Sequence, residues 1–296
     1  MATLKKKYIS YIKTKKKIIY KKYNFRIATY NVHYWTDVFE KNTMKHILND
    51  IKYIDADILF IQEAVFGVKY KVQNNLISSE SIISKLEELG YFTIICNVLP
   101  TWFGGFYGNI FCVKKKYMKY VIDKNYTFPK SKKNCIISGN KESTKETRCY
   151  IQLELFDYVI IGIHLDVCSE IERISQIRFI LKSIDNLKNK KIIILGDFNT
   201  TDINQYSDIN IRNDILKFVF NNNTDTNNNV INLLSKKGFK GITKNIKMTT
   251  WSNIQTDYIF YKNIPIVYQQ ILYTINSDHL PICMDIKDDV FVKKIE

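Results

Sequence analysis

The chain is poor in the residues that break or staple a fold. It has four prolines and ten glycines among 296 residues, and no Pro/Gly/Ser-rich stretch divides it. That absence argues against a linker and for one large body, since β-sandwiches run past about 200 residues as single domains. Six cysteines, Cys96, Cys112, Cys135, Cys149, Cys168 and Cys283, show no Cys-x-x-Cys spacing, which disfavours a zinc site or a disulfide framework. Most lie in apolar runs, where a reduced cysteine acts as a small hydrophobe. Free core thiols in a reducing compartment are therefore expected. No uninterrupted apolar stretch reaches the roughly 18 residues that span a bilayer, and the start lacks the apolar block and cleavage site of a secretory signal. These absences point to an intracellular protein, cytoplasmic or nuclear and not secreted. The lack of an internal repeat excludes a solenoid.

Acidic residues are missing from one segment altogether. Nine lysines fall between Lys5 and Lys22 with no Asp or Glu among them, against a net charge of +15 for the chain. Residues 1–24 read as a basic N-terminal extension, partly disordered, or as a nuclear address, a nucleic-acid arm or a membrane-surface segment. Residues 25–296 read as the catalytic body. A basic balance suits an anionic partner: nucleic acid, anionic lipid or a phosphorylated small molecule. The chain is also rich in Ile, Lys, Asn and Tyr, so part of the lysine excess reflects composition bias. Nothing bears on oligomeric state, and a monomer is the default.

What is present is a series of short apolar strands with interposed helices. Residues 25–31, 58–62, 91–96, 109–113, 151–155, 158–164, 191–195, 257–261 and 281–286 read as strands. Helical spacing marks 43–54, 81–89, ended by Gly90, 170–187 and 213–220. The polar run 221–229 reads as a loop. The class is α+β.

Polar residues that end these strands carry the chemistry. Asn31 ends FRIATYN, Glu63 ends ILFIQE, and His164 ends YVIIGIH. Asp197 and Asn199 follow KIIILG, and Asp278 and His279 precede LPICMDI. A strand end is rigid and can hold a ligand in place. Carboxylates and amides suit Mg²⁺, which takes oxygen ligands and shares substrate phosphate; His and Asp supply acid–base groups. Taken singly, each has an ordinary alternative: an Asp before Phe-Asn as a turn former, a Glu facing solvent, a His bonded within the core. His46, on a helix, reads as a surface residue, and His33 could line the cleft.

The ordered blocks ATYN, IQE, YGN, IHLD, LGDFN, TDYIF and SDHLP resemble the signatures of the DNase I-like endonuclease/exonuclease/phosphatase superfamily. The likeness runs from about residue 25 to 287. It implies a four-layered α/β sandwich, two packed mixed β-sheets flanked by helices, with the site at one end. By that resemblance Glu63 is the principal Mg²⁺ ligand, with Asn31 and Asp278 in the metal shell and Mn²⁺ able to substitute. Asp197 orients or deprotonates the attacking water, and Asn199 holds the phosphate or Asp197. His279 sits at the phosphate, with Asp257 fixing its tautomer. His164 is a general acid or phosphate clamp. Arg148 lies near the phosphate, and Tyr107 and Asn109 fall in a block that contributes substrate contacts.

Within the superfamily, Leu195, Thr201 and Trp251 disfavour the inositol-polyphosphate phosphatases. The nearest local likeness is to the 5′-tyrosyl-DNA phosphodiesterase-like branch. It rests on His164-Leu165-Asp166, on Glu172-Arg173-x-x-Gln176, on the Gly196–Asp202 block and on Thr250-Trp251. Thr201 stands where that branch carries Arg. The implied activity is Mg²⁺-dependent hydrolysis of phosphodiesters in nucleic acid. Two readings stay open beside it: the same chemistry on a phosphorylated lipid or metabolite, and a non-catalytic nucleic-acid-binding module.

Overall fold

A computed structural model describes residues 2–15, 21–101, 104–128, 148–187, 189–220, 226–241, 246–265 and 267–293. In chain order the elements begin α1 (Ala2–Lys13), β1 (Phe25–Asn31), α2 (Met44–Ile54), β2 (Ile58–Phe66), β3 (Lys69–Val72) and β4 (Asn75–Ser78). There follow α3 (Ile82–Glu88), β5 (Tyr91–Pro100), β6 (Phe106–Lys114), β7 (Val121–Thr127), β8 (Cys149–Leu155), β9 (Tyr158–His164) and α4 (Glu170–Ser183). The chain closes with β10 (Lys191–Asp197), α5 (Ile209–Asp214), α6 (Val230–Lys236), β11 (Asp257–Lys262), β12 (Val267–Ile271), β13 (Ile282–Ile286) and α7 (Val290–Lys293).

The strands form a six-stranded sheet, β12-β13-β1-β2-β6-β5, and a five-stranded sheet, β11-β10-β9-β8-β7. Both are mixed: β1 runs parallel to β2 and β9 parallel to β10, while the other pairs are antiparallel. Nearly every strand residue is buried because each sheet is covered on both faces, by the other sheet and by helices. On β9, Val159, Ile161 and Ile163 pack with Ile174, Ile177 and Ile180 of α4 and with Val230, Ile231 and Leu234 of α6. The alternate residues of β9 face the second sheet, since side chains switch faces with period two. Gly162 lies among them: a Cβ there would come within 2.4 Å of the Phe60 ring on β2, so the sheets close up only over a glycine. The architecture is the four-layered α+β sandwich of two mixed sheets flanked by helices.

Two expectations are corrected here. The first residues do not form a loose extension: Ala2–Lys13 is helical, and Tyr8 and Ile12 are buried in the main core. These two apolar residues lie four apart, one helical turn, so a short stripe survives among the lysines and docks. Nor are the cysteines uniformly free. Cys96 and Cys149 form a disulfide with Cα atoms 6.7 Å apart, tying β5 of one sheet to β8 of the other. Their sequence separation of 53 and their place in apolar strands gave no spacing signal. Cys168 is also disulfide-bonded. Cys112 and Cys283 are free and buried; burial pushes both thiols up, Cys283 to about 12, which keeps them inert. Cys135 lies outside the described residues, as does most of the 221–229 loop. No helix among the described residues is long and apolar enough to cross a membrane.

Candidate active site

The period-two rule that hides apolar residues also aims the polar ones. On β10, Ile193 and Leu195 face the opposite sheet, and Asp197, next in that alternation, faces it too. Register then aligns its neighbours. His164 of β9 is the pairing partner of Asp197 on one side, and Asp257 of β11 is its partner on the other. Three chemically active residues thus stand in one row across three strands. The backbone of this row is tight: Gly196 has φ +141°, and a Cβ there would fall 1.8 Å from the Ile163 carbonyl oxygen.

The six-stranded sheet supplies the facing wall. Asn31, the last residue of β1, donates from Nδ2 to Asp197 Oδ2 at 3.2 Å and to Glu63 Oε1 at 3.1 Å. Glu63 is not at a strand end, as its sequence suggests. β2 continues to Phe66, and Glu63 sits in a register break between Ile61 and Ala64 with φ +55°. Such a bulge turns a side chain out of the regular alternation. Asn199 is also left-handed, at φ +50°. Its backbone N–H donates to Asp197 Oδ1 at 2.8 Å, while its side chain donates to the Leu165 carbonyl at 3.0 Å. Asn199 therefore positions Asp197 through the backbone. Left-handed non-glycine residues are costly and concentrate where function fixes geometry.

The two imidazoles are held differently. His279 Nδ1 is 2.8 Å from Asp257 Oδ2, and His279 Nε2 is 3.9 Å from Asp197 Oδ2. Burial works to lower the His279 pKa, but Asp257, Asp278 and Asp197 together raise it well above the ordinary imidazole value. The surrounding carboxylates thus favour the protonated form of the half-buried His279. His164 is pushed well below the ordinary value, by burial first and then by Arg148. Arg148 Nη1 lies 2.8 Å from His164 Nδ1. A guanidinium only donates, so Nδ1 accepts and the proton of the neutral ring sits on Nε2. That nitrogen is 3.7 Å from Asp197 Oδ2 and 3.8 Å from Glu63 Oε1. Both histidines therefore present an N–H toward the carboxylates.

Among the carboxylates, burial first and then Asp257 push Asp197 up to about 7. Burial also raises Glu63, against the opposing charge of His33. The ligand-type atoms of Glu63, His164 and Asp197 lie within 4.8 Å of one another, as do those of Asp197, Asp257 and His279. Because His164 Nε2 carries its proton, the oxygens rather than this nitrogen fit a cation here. That donor chemistry suits a hard divalent ion. The Asn31 amide oxygen accepts the His33 N–H at 3.1 Å, so this amide buttresses the two carboxylates.

The remaining residues are placed around this centre. Asp278 Oδ1 is 4.0 Å from His279 Nε2 and 3.8 Å from His33 Nδ1. Tyr107 stacks on Tyr34 with ring centres 5.3 Å apart. Trp251 is half-buried, and its N–H donates to the Asp278 carbonyl at 2.9 Å. Asn109 is buried with Nδ2 3.9 Å from Cys149 Sγ, between the sheets. His46 is exposed on α2. From sequence alone, His33 could line the cleft. The structure puts it beside Glu63 and Asp278, with His33, Tyr34 and Trp35 all left-handed at φ 42°, 55° and 65°. Its signal in the sequence was its place two residues after Asn31.

The blocks after His164 act through support. Arg173 is fully buried; its Nε donates to Glu170 Oε2 at 2.7 Å and its Nη1 to the Asp166 carbonyl at 2.9 Å. Gln176 Oε1 accepts the Asp166 N–H at 2.9 Å. The helix thus anchors the loop that leaves His164. Thr201 is wholly buried, its hydroxyl 3.4 Å from those of Tyr206 and Tyr258, so this position faces the interior.

Two mixed sheets flanked by helices, meeting over a cluster of carboxylates, amides and imidazoles, define the DNase I-like fold, that of a superfamily of phosphoester hydrolases. The chain belongs to the endonuclease/exonuclease/phosphatase family, whose model matches residues 28–279. It is similar in structure to an endonuclease/exonuclease/phosphatase from Beutenbergia cavernae DSM 12333, at 15% identity and TM-score 0.64, covering 89% of this chain and 71% of that one. A family protein from Leptotrichia buccalis C-1013-b gives 18% identity and TM-score 0.59, covering 90% of this chain and 100% of that one. Truncated TDP2 of Caenorhabditis elegans gives 14% identity and TM-score 0.51, covering 88% of this chain and 96% of that one. At these identities the likeness is one of fold. No curated protein matches the sequence.

Proposed function

We propose that this chain is a Mg²⁺-dependent phosphodiesterase acting on nucleic acid, with Mn²⁺ able to substitute. The observation that carries the reading is the convergence of Glu63, His164, Asp197, Asp257 and His279 on one centre. Glu63 and Asp278 would hold the cation, which neutralises charge on the phosphoryl oxygens. Asp197, raised to about 7 by burial and Asp257, is poised to take a proton from the attacking water, since a general base works best near the ambient pH. The His279 imidazolium, fixed by Asp257, donates from Nε2 to a phosphoryl or leaving oxygen. His164, fixed by Arg148, donates from its own Nε2. Each such donor supports about 10²–10³-fold in rate. Nucleic acid is favoured over a phosphorylated lipid or metabolite by the basic charge and by the His164–Asp166 and Glu172–Gln176 blocks of the tyrosyl-DNA phosphodiesterase-like branch.

The test is turnover of bis(p-nitrophenyl) phosphate by purified protein with Mg²⁺, beside Glu63→Ala and Asp197→Ala. Turnover that both variants abolish supports the reading; none, or turnover indifferent to both, rejects it. Competition by single-stranded DNA, RNA and inositol phosphates then separates the substrate classes.

A further inference from the structure

Helix α1 is left over once the hydrolytic site is accounted for. Its start is placed by the contacts of Lys5. Lys5 Nζ donates to the Val38 carbonyl at 2.8 Å and lies 5.4 Å from the Trp251 ring centre. Trp251 is bonded through its own N–H to the Asp278 carbonyl. The start of α1 therefore abuts the loop that carries Asp278 and His279. Further along the chain, outside the helix, Lys21 pairs with Asp57 at 2.6 Å, and the Lys22 N–H donates to Asp285 at 2.7 Å. Both contacts lie where β1 begins, and β1 runs from there to Asn31. The helix start therefore stands at the site end of the sandwich, beside Trp251 and the Asp278 loop. Tyr8 is 2% exposed and feels, after burial, the charges of Asp278 and Asp257.

Docking through Lys5, Tyr8 and Ile12 leaves Lys6, Lys7 and Lys13 exposed, and the helix holds no acidic residue. The partial positive charge of a helix N-terminus adds to theirs. The site beside it concentrates Glu63, Asp197, Asp257 and Asp278, which repel an incoming polyanion. A strand of nucleic acid therefore needs a positive surface next to the centre. At about 1.5 Å per residue the helix is about 18 Å long.

We propose that Lys6, Lys7 and Lys13 form a ledge that binds the phosphates flanking the scissile bond of a nucleic-acid strand. The proposal rests on the nucleic-acid reading of the site and specifies how the strand is held. A membrane surface fits α1 less well, because Tyr8 and Ile12 are spent on the core. Only Leu4 and Tyr11 are left as large exposed hydrophobics, a small patch for an interfacial helix.

The experiment compares the full chain with the Lys6→Ala/Lys7→Ala/Lys13→Ala variant. Bis(p-nitrophenyl) phosphate turnover and the melting temperature should match in the two. Binding of a single-stranded oligonucleotide should weaken about tenfold or more, and the slope of log K against log salt should fall by about 2, at about 0.7 per lost phosphate contact. An unchanged oligonucleotide affinity and slope overturns the ledge. So does a variant that loses only its binding to phosphatidylserine vesicles, which would make α1 a lipid contact. If neither protein turns over the small diester, the reading of the site fails by itself, because the salt slope is measured on binding alone.

Discussion

Asn31 and Asp197 join the two sheets: the amide nitrogen at the end of β1 donates to the carboxylate at the end of β10 across 3.2 Å. The same nitrogen holds Glu63, so one side chain sets the separation of the two carboxylates best placed for chemistry. Asn31→Ala should lower kcat on a small diester by about 10²-fold while the protein still melts cooperatively. A variant with full kcat would show that the carboxylates keep their spacing without it.

Asp197 is raised to about 7, by burial first and then by Asp257. A carboxyl whose folded pKa exceeds its unfolded value stabilises the fold below the unfolded pKa of about 3.9, and that contribution is lost as pH rises through the folded value. The metal-free protein should therefore lose stability between about pH 4 and 7 from this group, and Asp197→Asn should remove that share of the slope. Cation binding should release a proton near pH 7, read by calorimetry in buffers of different ionisation enthalpy. Proton release that persists in Asp197→Asn would assign the titration elsewhere.

Arg148 fixes the His164 tautomer by donating to Nδ1 at 2.8 Å. Arg148→Met should cost about tenfold or more in kcat and shift the ring toward the other tautomer. Nitrogen chemical shifts of labelled histidine report the proton position directly. An unmoved tautomer with reduced kcat would make Arg148 a substrate contact.

Arg26 and Asp285 form a buried bidentate pair, with Nε–Oδ1 at 2.6 Å and Nη2–Oδ2 at 3.0 Å. Asp285→Ala leaves a buried guanidinium without its partner and should cost about 3–5 kcal/mol in urea unfolding. A loss near zero would mean that water or a rearranged carboxylate takes over.

The Cys96–Cys149 disulfide closes a long loop between the sheets. Cys149→Ser should lower stability by about 2–4 kcal/mol, and a reductant, which also opens the Cys168 disulfide, should lower that of the parent chain by at least as much. Insensitivity of the parent to reductant would argue against the bond in solution.

How much of this was legible follows from the kind of signal each residue gives. Asn31, His164 and Asp197 stand out as candidates in the sequence because apolar strands with period two lead straight to them, whereas Asp257 is marked only by the family resemblance. Glu63 reads as a strand end in sequence, but a bulge inside β2 exposes it. The β3–β4 hairpin gives little signal: each strand has four residues, and only Tyr70 and Ile77 are buried in them. The docking of α1 rests on Tyr8 and Ile12, two residues outvoted by lysines in any compositional reading. The disulfide depends on how two sheets stack, which no local spacing encodes.

In the six-stranded sheet, β1 lies between β2 and β13, and Phe25 pairs with Ile286. One flank of β1 therefore waits for a strand far along the chain. During synthesis the strand bearing Asn31 has an open, apolar edge for almost the whole length of the chain. Such long-range closure slows folding and exposes a template for mispairing. Truncations near the C-terminus should thus be sorted by aggregation before they are sorted by activity.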